Sequence, residues 1–171
     1  MIVWMIGLSG AGKTTLAEQV VANVRQRGRK VVLLDGDRVR ELFGNDLDYD
    51  MEGRRRNAER ICRLCGFLDE QGIDVVCAIL SVFPESRAWC RENLGSYFEV
   101  FIDTPVEKLV ERDPKGIYGR YLRGEIRDVA GFDLEFPRPD SPDLLIENAG
   151  SRQELLSYAS VIADRICCEA V

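Results

Sequence analysis

Short apolar runs alternate with longer amphipathic stretches along almost the whole chain. The apolar runs are rich in Val, Ile and Leu and end at turn residues, as buried strands do. They predict five strands, at residues 2–6, 31–35, 74–80, 97–102 and 143–147. Helical patterns cover residues 13–27, 52–71, 85–94, 106–111 and 152–168. Continuous apolar strands separated by helices predict an α/β fold, with a parallel five-stranded sheet that carries helices on both faces.

One long stretch, residues 112–139, shows no clean period and is rich in Gly, Pro, Arg and Asp. An irregular segment inside a compact domain is more typical of a lid or binding loop than of a linker. The chain contains no repeat or linker, and its length suits one domain of roughly 150 residues. We therefore expect a single domain over residues 1–171, with a lid segment over about residues 113–139.

Charge and composition exclude several classes of function. The chain has 23 Lys and Arg against 29 Asp and Glu, a net charge of −6, and it has no basic tail. This charge balance argues against a nucleic-acid partner, so an anionic ligand must be small and locally held. Histidine is absent, which excludes imidazole bases and histidine-bound metals. No apolar run has the length of a membrane span or an export signal, and we expect a cytoplasmic protein without a membrane partner.

The six cysteines are expected to be reduced thiols. Cys62 and Cys65 form a CxxC pair, but inside a helical pattern. A zinc site would need Cys167 and Cys168 to complete its four ligands. Plain packing of the cysteines is the favoured interpretation over metal binding.

The strongest chemical signal is GLSGAGKT at residues 7–14, a full match to GxxxxGK[ST] between an apolar strand and a helix. Glycines let backbone N–H groups surround phosphates at the start of a helix. Lys13 should reach the β and γ phosphates and Thr14 should bind Mg²⁺. The motif predicts ATP with Mg²⁺, held by Gly7, Ser9, Gly10, Ala11, Gly12, Lys13, Thr14 and Thr15.

Two carboxylates follow the second predicted strand, Asp35 and Asp37. Ligands of open parallel sheets bind at the carboxyl ends of strands, so both should face the phosphate loop. Either one could accept a proton from an attacking hydroxyl or hold Mg²⁺ through water. Asp37 could instead simply cap the helix that follows it.

Five arginines crowd residues 54–63 of an otherwise acidic chain. For Arg55, Arg56 and Arg63 a solvated helix face is the expected role. A guanidinium also suits a bidentate grip on phosphate or sulfate, so an anionic acceptor would explain the pair Arg40 and Arg54.

A series of motifs in order resembles the adenylylsulfate kinase family. The motifs are GLSGAGKTT (7–15), DGDRVR (35–40), GRRRN (53–57), ILSVF (79–83), IDTP (102–105), RDPKGIY (112–118), GEI (124–126), GFD (131–133) and PDLLI (142–146). The resemblance covers the chain to about Glu147. It implies a P-loop fold like that of nucleoside-monophosphate kinases, with a mobile lid and often a homodimer.

The same resemblance implies a set of site residues. The expected acceptor-binding residues are Asp37, Arg40, Tyr49, Arg54, Asn57, Leu80, Ser81 and Lys115. The expected catalytic residues are Lys13, Asp35, Asp37 and Lys115, with Thr14 binding Mg²⁺ and Asp35 or Asp37 helping through water. Ser81 is interpreted as a hydrogen-bonding residue, since a serine without an adjacent base is a weak nucleophile.

Five positions depart from the family pattern. Gly53 replaces an aspartate and Val82 a proline. Of two phenylalanines that enclose adenine, one corresponds to Tyr49, which still stacks, and the other to Val129, which does not. The lid arginine aligns with Leu122, although Arg120 or Arg123 could take its place after a small shift.

The resemblance implies a kinase that transfers the γ-phosphate of ATP to the 3′-hydroxyl of adenosine 5′-phosphosulfate. The alternative within the same chemistry is a 3′-kinase of another activated nucleotide, such as cytidine diphosphoramidate. A non-catalytic nucleotide-binding subunit disagrees with the intact Lys13, Asp37 and Lys115. A kinase of a neutral polyol would not need Arg40 and Arg54.

Overall fold

In the computed structural model, which describes residues 1–168, five strands form one sheet in the order β2-β3-β1-β4-β5. Every neighbouring pair is parallel. The elements in chain order are β1 (Ile2–Ile6), α1 (Lys13–Gln26), β2 (Val31–Asp35), α2 (Gly36–Leu42), α3 (Met51–Glu70), β3 (Asp74–Ile79), α4 (Pro84–Asn93), β4 (Tyr97–Asp103), α5 (Val106–Arg112), α6 (Ile117–Leu122), β5 (Leu144–Glu147) and α7 (Arg152–Cys168).

The central strand β1 is buried on both faces, which explains its continuous apolar sequence. Val3 and Met5 belong to the core on the side of α1 and α7. Ile2, Trp4 and Ile6 belong to the core on the side of α3 and α4. The predicted parallel sheet with helices on both faces is confirmed, and each strand lies within one residue of its predicted limits.

Two short helices were missing from the predicted helical patterns, although a helix near Asp37 was anticipated through the capping role considered for that residue. The helix α2 directly follows β2, and α6 lies inside the stretch that was expected to be irregular. The start of α6 depends on Gly116, at φ 65°, and on the Asp113 carboxylate. That carboxylate accepts hydrogen bonds from the N–H groups of Tyr118 at 3.2 Å and Gly119 at 2.8 Å. Local capping rather than apolar periodicity therefore builds α6.

Four cysteines lie in the core between the sheet and the helices α3 and α4, namely Cys62, Cys65, Cys77 and Cys90. The sulfurs of Cys62 and Cys90 are 3.6 Å apart. The expected packing of the CxxC pair is confirmed by its burial. Within residues 1–168, no His, Cys, Asp and Glu side chains are grouped in threes in a way that could hold a metal ion. No helix in that range combines the length and apolar character needed to cross a membrane.

Candidate active site

The phosphate loop connects β1 to α1 and depends on two left-handed glycines. Gly10 has a φ of 76° and Gly12 a φ of 93°, a region that other residues rarely adopt. A Cβ on Gly12 would also lie 2.4 Å from the Leu155 side chain of α7. Only glycine satisfies both the backbone and the space at this position.

The loop leaves backbone donors free. In residues 1–168, no hydrogen bond uses the N–H of Gly10 or Gly12. These donors lie at the start of α1, where the helix dipole adds a positive field. The loop therefore has the unused donors that an anion site needs.

Lys13 is the first residue of α1 and donates a hydrogen bond to the Leu8 carbonyl at 2.9 Å. Burial, with a smaller contribution from the positive charge of Lys115, lowers the pKa of Lys13 to about 8. Asp35 and Asp37 act in the opposite direction. A buried cation held this way gains most from a bound anion.

Asp35 links the phosphate loop to α2. Its carboxylate accepts hydrogen bonds from the Thr14 hydroxyl at 2.6 Å and from the Asp37 N–H at 3.0 Å. Asp35, and not Asp37, is therefore the N-cap of α2, so the alternative role considered for Asp37 belongs to its neighbour. A hydroxyl beside a carboxylate is an oxygen donor set that fits Mg²⁺ bound with phosphates and water.

Asp37 meets Lys115 of the lid segment, 78 residues away in the chain. The Lys115 ammonium donates to the Asp37 carboxylate, and both side chains remain partly exposed. Burial acts to lower the pKa of Lys115, but the hydrogen bond and charge of Asp37 outweigh it and raise this pKa above its usual value. Two expected catalytic groups thus form an ion pair over the end of β2.

Arg40 and Arg54 converge, and within the described part of the chain, residues 1–168, neither forms an ion pair with a carboxylate. The buried Arg40 donates to the carbonyls of Leu47 and Asp48, both at 3.0 Å. Arg54 donates to the Tyr49 carbonyl at 2.7 Å and to the carbonyl of lid residue Asp128 at 3.0 Å. Burial, followed by the positive charge of Arg40, lowers the pKa of Arg54. The charges of Asp128 and Asp37 act in the opposite direction, but neither carboxylate forms an ion pair with these guanidinium groups within residues 1–168.

Tyr49 and Asn57 border the same corner. The Tyr49 ring is 57% exposed and lies against the Arg40 guanidinium, 4.6 Å from ring centroid to Cζ. Asn57 donates to the Gly36 carbonyl at 3.3 Å, while its buried Oδ1 has no hydrogen-bond partner in residues 1–168. A buried oxygen without a partner is costly, and a donor group of a ligand would satisfy it.

Ser81 and Leu80 follow β3. The buried Ser81 has a φ of 57°, an unusual backbone for a residue other than glycine. Its hydroxyl accepts a hydrogen bond from the Trp4 indole at 3.2 Å, and its carbonyl accepts one from Arg87 at 3.0 Å. Leu80 packs against a small apolar cluster that includes Ala58, Val82 and Phe83. The Ser81 hydroxyl retains its own hydrogen for another acceptor.

Residues 1–147 match the family model described as adenylylsulphate kinase. The chain belongs to the adenylylsulfate kinase family. Members of this family are kinases that transfer a phosphoryl group to a hydroxyl, and this class of reaction applies to the chain. The family predicted from the motifs is thereby confirmed.

Relatives within and around the family cover most of the chain. A probable adenylyl-sulfate kinase of Pyrococcus abyssi is 33% identical over 147 residues, 86% of this chain and 84% of that protein. A cytidine diphosphoramidate kinase of Campylobacter jejuni is 36% identical over 148 residues, 86% of each. The structure of the Mycobacterium tuberculosis APS kinase CysC in complex with AMPPNP and APS superposes with a TM-score of 0.87 at 33% identity, covering 96% of both chains. The P-loop kinase fold is confirmed.

Departures from the adenylylsulfate kinase pattern have structural consequences. Gly53 lies under the loop that precedes α3, where a Cβ would be 2.1 Å from the Asp48 carbonyl oxygen. Val129 is 5% exposed in the core, so it offers little surface to a base. Arg120 and Arg123 pair with Glu125, and their side chains are 54% and 61% exposed. Within residues 1–168, neither of these two arginines forms a hydrogen bond or an ion pair with an expected site residue.

Two further residues hold the phosphate loop of this family member and were not among the expected site residues. The Tyr118 hydroxyl donates to the Ser9 carbonyl at 2.7 Å. The Asn148 side chain donates to the Ala11 carbonyl at 2.9 Å. Tyr118 is the last residue of the RDPKGIY motif, and Asn148 follows β5 directly. In the sequence, only these two positions, at the end of a family motif and after the last strand, could have indicated a role at the site.

Proposed function

We propose that the protein transfers the γ-phosphate of ATP to the 3′-hydroxyl of adenosine 5′-phosphosulfate. The observation that carries this proposal is the pair Arg40 and Arg54. Arg40 is buried, Arg54 is half-buried, and neither forms an ion pair with a carboxylate within residues 1–168. Buried positive charge without a counterion favours an anionic ligand. A phosphosulfate group provides that charge, and guanidinium groups suit its oxygens.

The loop donors and Lys13 hold the phosphate chain of ATP in this proposal. Thr14, with Asp35 or Asp37 through water, would hold Mg²⁺, which neutralises phosphate charge when bound. Asn57 and Ser81 hold the nucleoside of the acceptor through the free Oδ1 and the free hydroxyl hydrogen. Tyr49 covers one face of the base.

Asp37 orients the acceptor hydroxyl and takes its proton. The ion pair with Lys115 occupies the carboxylate until substrates bind, because one oxygen already accepts from the ammonium. Phosphates attract Lys115 more strongly than a single carboxylate does, so their arrival frees Asp37 for the acceptor. Lys115 then stabilises the charge that develops during transfer. The lid segment excludes water, which would otherwise compete as acceptor.

A substrate panel tests the proposal. ATP consumption with Mg²⁺ is measured with adenosine 5′-phosphosulfate, cytidine nucleotides including cytidine diphosphoramidate, neutral sugars, and no acceptor. We expect turnover with the phosphosulfate to exceed turnover with sugars and water. Equal consumption with and without every acceptor would contradict the proposal.

Arg54→Ala tests the acceptor side of the site. We expect the acceptor KM to rise by roughly tenfold or more, since a hydrogen bond to a charged group contributes about 1.5–3 kcal/mol. The dissociation constant of ATP should remain close to that of the unmodified protein. Arg56→Ala is the matched control, because Arg56 lies on the same helix, is exposed, and forms no ion pair within residues 1–168. Equal loss of ATP and acceptor affinity in Arg54→Ala would refute the separation into donor and acceptor sides.

A second candidate function is the 3′-phosphorylation of cytidine diphosphoramidate. The similarity to the Campylobacter enzyme and the burial of Val129 favour it, because a smaller base needs less aromatic enclosure. The ratio of kcat/KM for the two acceptors decides between the candidates. A ratio strongly in favour of the cytidine compound would show that the proposed acceptor is wrong and that the proposed kinase activity is right.

A homodimer and a cytoplasmic location remain predictions. Sedimentation analysis of the purified protein measures the first. Fractionation of the cells that produce it measures the second.

A further inference from the structure

The hydroxyl of Tyr118 ties the lid segment to the phosphate loop. It donates to the Ser9 carbonyl at 2.7 Å, across 109 residues of sequence. Tyr118 is 1% exposed, and burial raises the pKa of its hydroxyl to about 12. The group therefore remains a neutral donor near neutral pH and well above it.

The surroundings of Tyr118 hold its ring in place. Asp113 caps the start of α6 through the N–H groups of Tyr118 and Gly119. The Tyr118 ring also packs against Phe132 of the lid segment, with centroids 5.2 Å apart. The hydroxyl is thus anchored from two sides before it reaches the loop.

The carbonyl that Tyr118 contacts belongs to the peptide between Ser9 and Gly10. No peptide bond of the described residues is cis, and in a trans peptide the C=O and N–H point in opposite directions. Fixing the Ser9 carbonyl toward Tyr118 therefore directs the Gly10 N–H away from it. That N–H takes part in no hydrogen bond within residues 1–168.

We propose that Tyr118 is a positioning residue for phosphoryl transfer, whose hydroxyl fixes the Ser9–Gly10 peptide so that the Gly10 N–H faces the phosphates of the nucleotide. The inference rests on the proposed function in one respect, that the loop holds the phosphate chain of ATP. Lys115 lies three residues before Tyr118, so the same anchor sets the distance between Lys115 and the loop. The Tyr118 hydroxyl thus helps to direct both the Gly10 N–H and the Lys115 ammonium toward the phosphates of the nucleotide.

Tyr118→Phe removes the hydroxyl and retains the ring that packs against Phe132. We expect the dissociation constant of ATP to rise and kcat to fall, each by about 3- to 10-fold, the range of a single neutral hydrogen bond. Inhibition by inorganic pyrophosphate should weaken by the same factor, since the loss affects the phosphate cradle and not the nucleoside. The acceptor KM should remain unchanged.

Tyr121→Phe is the matched control. Tyr121 lies on the same helix and also packs against Phe132, at 5.1 Å between centroids. Its hydroxyl forms no hydrogen bond within residues 1–168. We expect Tyr121→Phe to match the unmodified protein in ATP affinity, pyrophosphate inhibition and kcat. Tyr118→Phe loses a buried hydrogen bond, so it should melt about 2–4 °C below Tyr121→Phe.

Equal behaviour of the two variants would overturn the inference, as would a parallel loss of ATP and acceptor affinity in Tyr118→Phe. If Tyr118→Phe does not fold, Asp113→Asn weakens the same anchor at the start of α6. That variant should show the same selective loss of ATP and pyrophosphate affinity, and unchanged affinities would refute the role of Tyr118. The failure of the proposed function is distinct, because the unmodified protein would then phosphorylate no acceptor.

Discussion

We expect Lys13 to make ATP binding depend on pH. Its pKa of about 8, lowered mainly by burial, means that the side chain carries its charge below that pH and loses it above. A phosphate chain binds the charged form, so ATP binding must restore the proton at higher pH. We expect the dissociation constant of ATP to rise by up to about tenfold per pH unit above pH 8. Calorimetry in buffers of different ionisation enthalpy measures both the affinity and the proton uptake.

Lys13→Arg is the control for this pH dependence. An arginine remains protonated throughout the same range, so its ATP affinity should be nearly flat between pH 7 and about pH 10. A flat profile in the unmodified protein would show that another group dominates the binding of phosphate.

The lowered pKa of Lys13 also determines whether this residue stabilises or destabilises the folded protein at a given pH. Because the folded protein lowers the pKa of Lys13 below its ordinary 10.5, burying the charged form opposes folding at pH values below about 8. This cost disappears as the pH rises from about 8 through the ordinary value. The lysine is therefore retained at a cost in stability, which is typical of a group kept for binding.

At the scale of single residues, the sequence predicted which side chains have a chemical role better than it predicted which side chains contact each other. The loop motif and the two aspartates were predicted, but the choice between Asp35 and Asp37 as helix cap depends on backbone direction at one turn. The contact between Asp37 and Lys115 joins a strand end to the lid, and residue spacing carries no such information. The Tyr118 contact was missed for the same reason.

At the scale of elements, the loop that precedes α3 depends on Gly53. This loop supplies the Leu47 and Asp48 carbonyls that bind Arg40, and the Asp50 carboxylate accepts from the Gly53 N–H at 2.7 Å. A Cβ at position 53 would overlap the Asp48 carbonyl, which is backbone and moves only with the whole loop. The smallest possible side chain therefore lets the loop close over the buried guanidinium.

Gly53→Ala should displace this loop and loosen Arg40. We expect a raised acceptor KM, an unchanged dissociation constant of ATP and a lower melting temperature. Gly66→Ala, on the same helix, is the control, since its Cβ would meet only Trp89 at 3.5 Å. Replacing glycine inside a helix gains up to about 1 kcal/mol, so this control should be equally or more stable. A Gly53→Ala variant that matches it in melting temperature and acceptor KM would show that the loop has room to adapt.

Long apolar elements were predictable and short capped ones were not. The strands are continuous Val, Ile and Leu runs because both faces of the sheet are covered, and α3 has the amphipathic pattern of a long surface helix. The seven-residue α2 and six-residue α6 are too short for a pattern to repeat. Their ends are set by Asp35 and Asp113, whose role as caps requires the three-dimensional turn.

At the scale of the whole molecule, the buried cysteines contribute packing to one of the two cores. Replacing all six cysteines, with alanine at the four buried positions and serine at Cys167 and Cys168, should retain kcat within a few-fold. Each of the four buried replacements leaves a small cavity that costs about 1 kcal/mol and lowers the melting temperature by about 2–4 °C, so the six-fold variant should melt about 8–16 °C lower. Thermal unfolding and metal analysis of the purified proteins measure both effects.

The double variant Cys167→Ser with Cys168→Ser distinguishes the effect of the two cysteines outside the core from the effect of the four buried cysteines. Cys168 is exposed and Cys167 half-buried, so this variant should melt close to the unmodified protein. Stoichiometric zinc in the unmodified protein, lost in the six-fold variant together with activity, would contradict the packing role.

The order of the strands required the structure. Alternating strands and helices predicted a parallel sheet, but any of several orders buries the same apolar residues. The observed order places β1 between β3 and β4, so the phosphate loop emerges between the ends that carry Ser81 and Asp103. The proposed donor and acceptor sides of the site meet because of this strand order.

The hydrogen bond between Trp4 and Ser81 also gives the protein an optical reporter of its own site. The chain has two tryptophans, of which Trp4 is fully buried and Trp89 is 39% exposed on α4. Iodide in solution quenches the emission of the exposed indole and does not reach the buried one. The remaining blue-shifted fluorescence comes from an indole whose N–H bonds the serine expected to contact the acceptor. Titration of each nucleotide against that emission follows occupancy of the acceptor side without a label, a coupled enzyme or turnover.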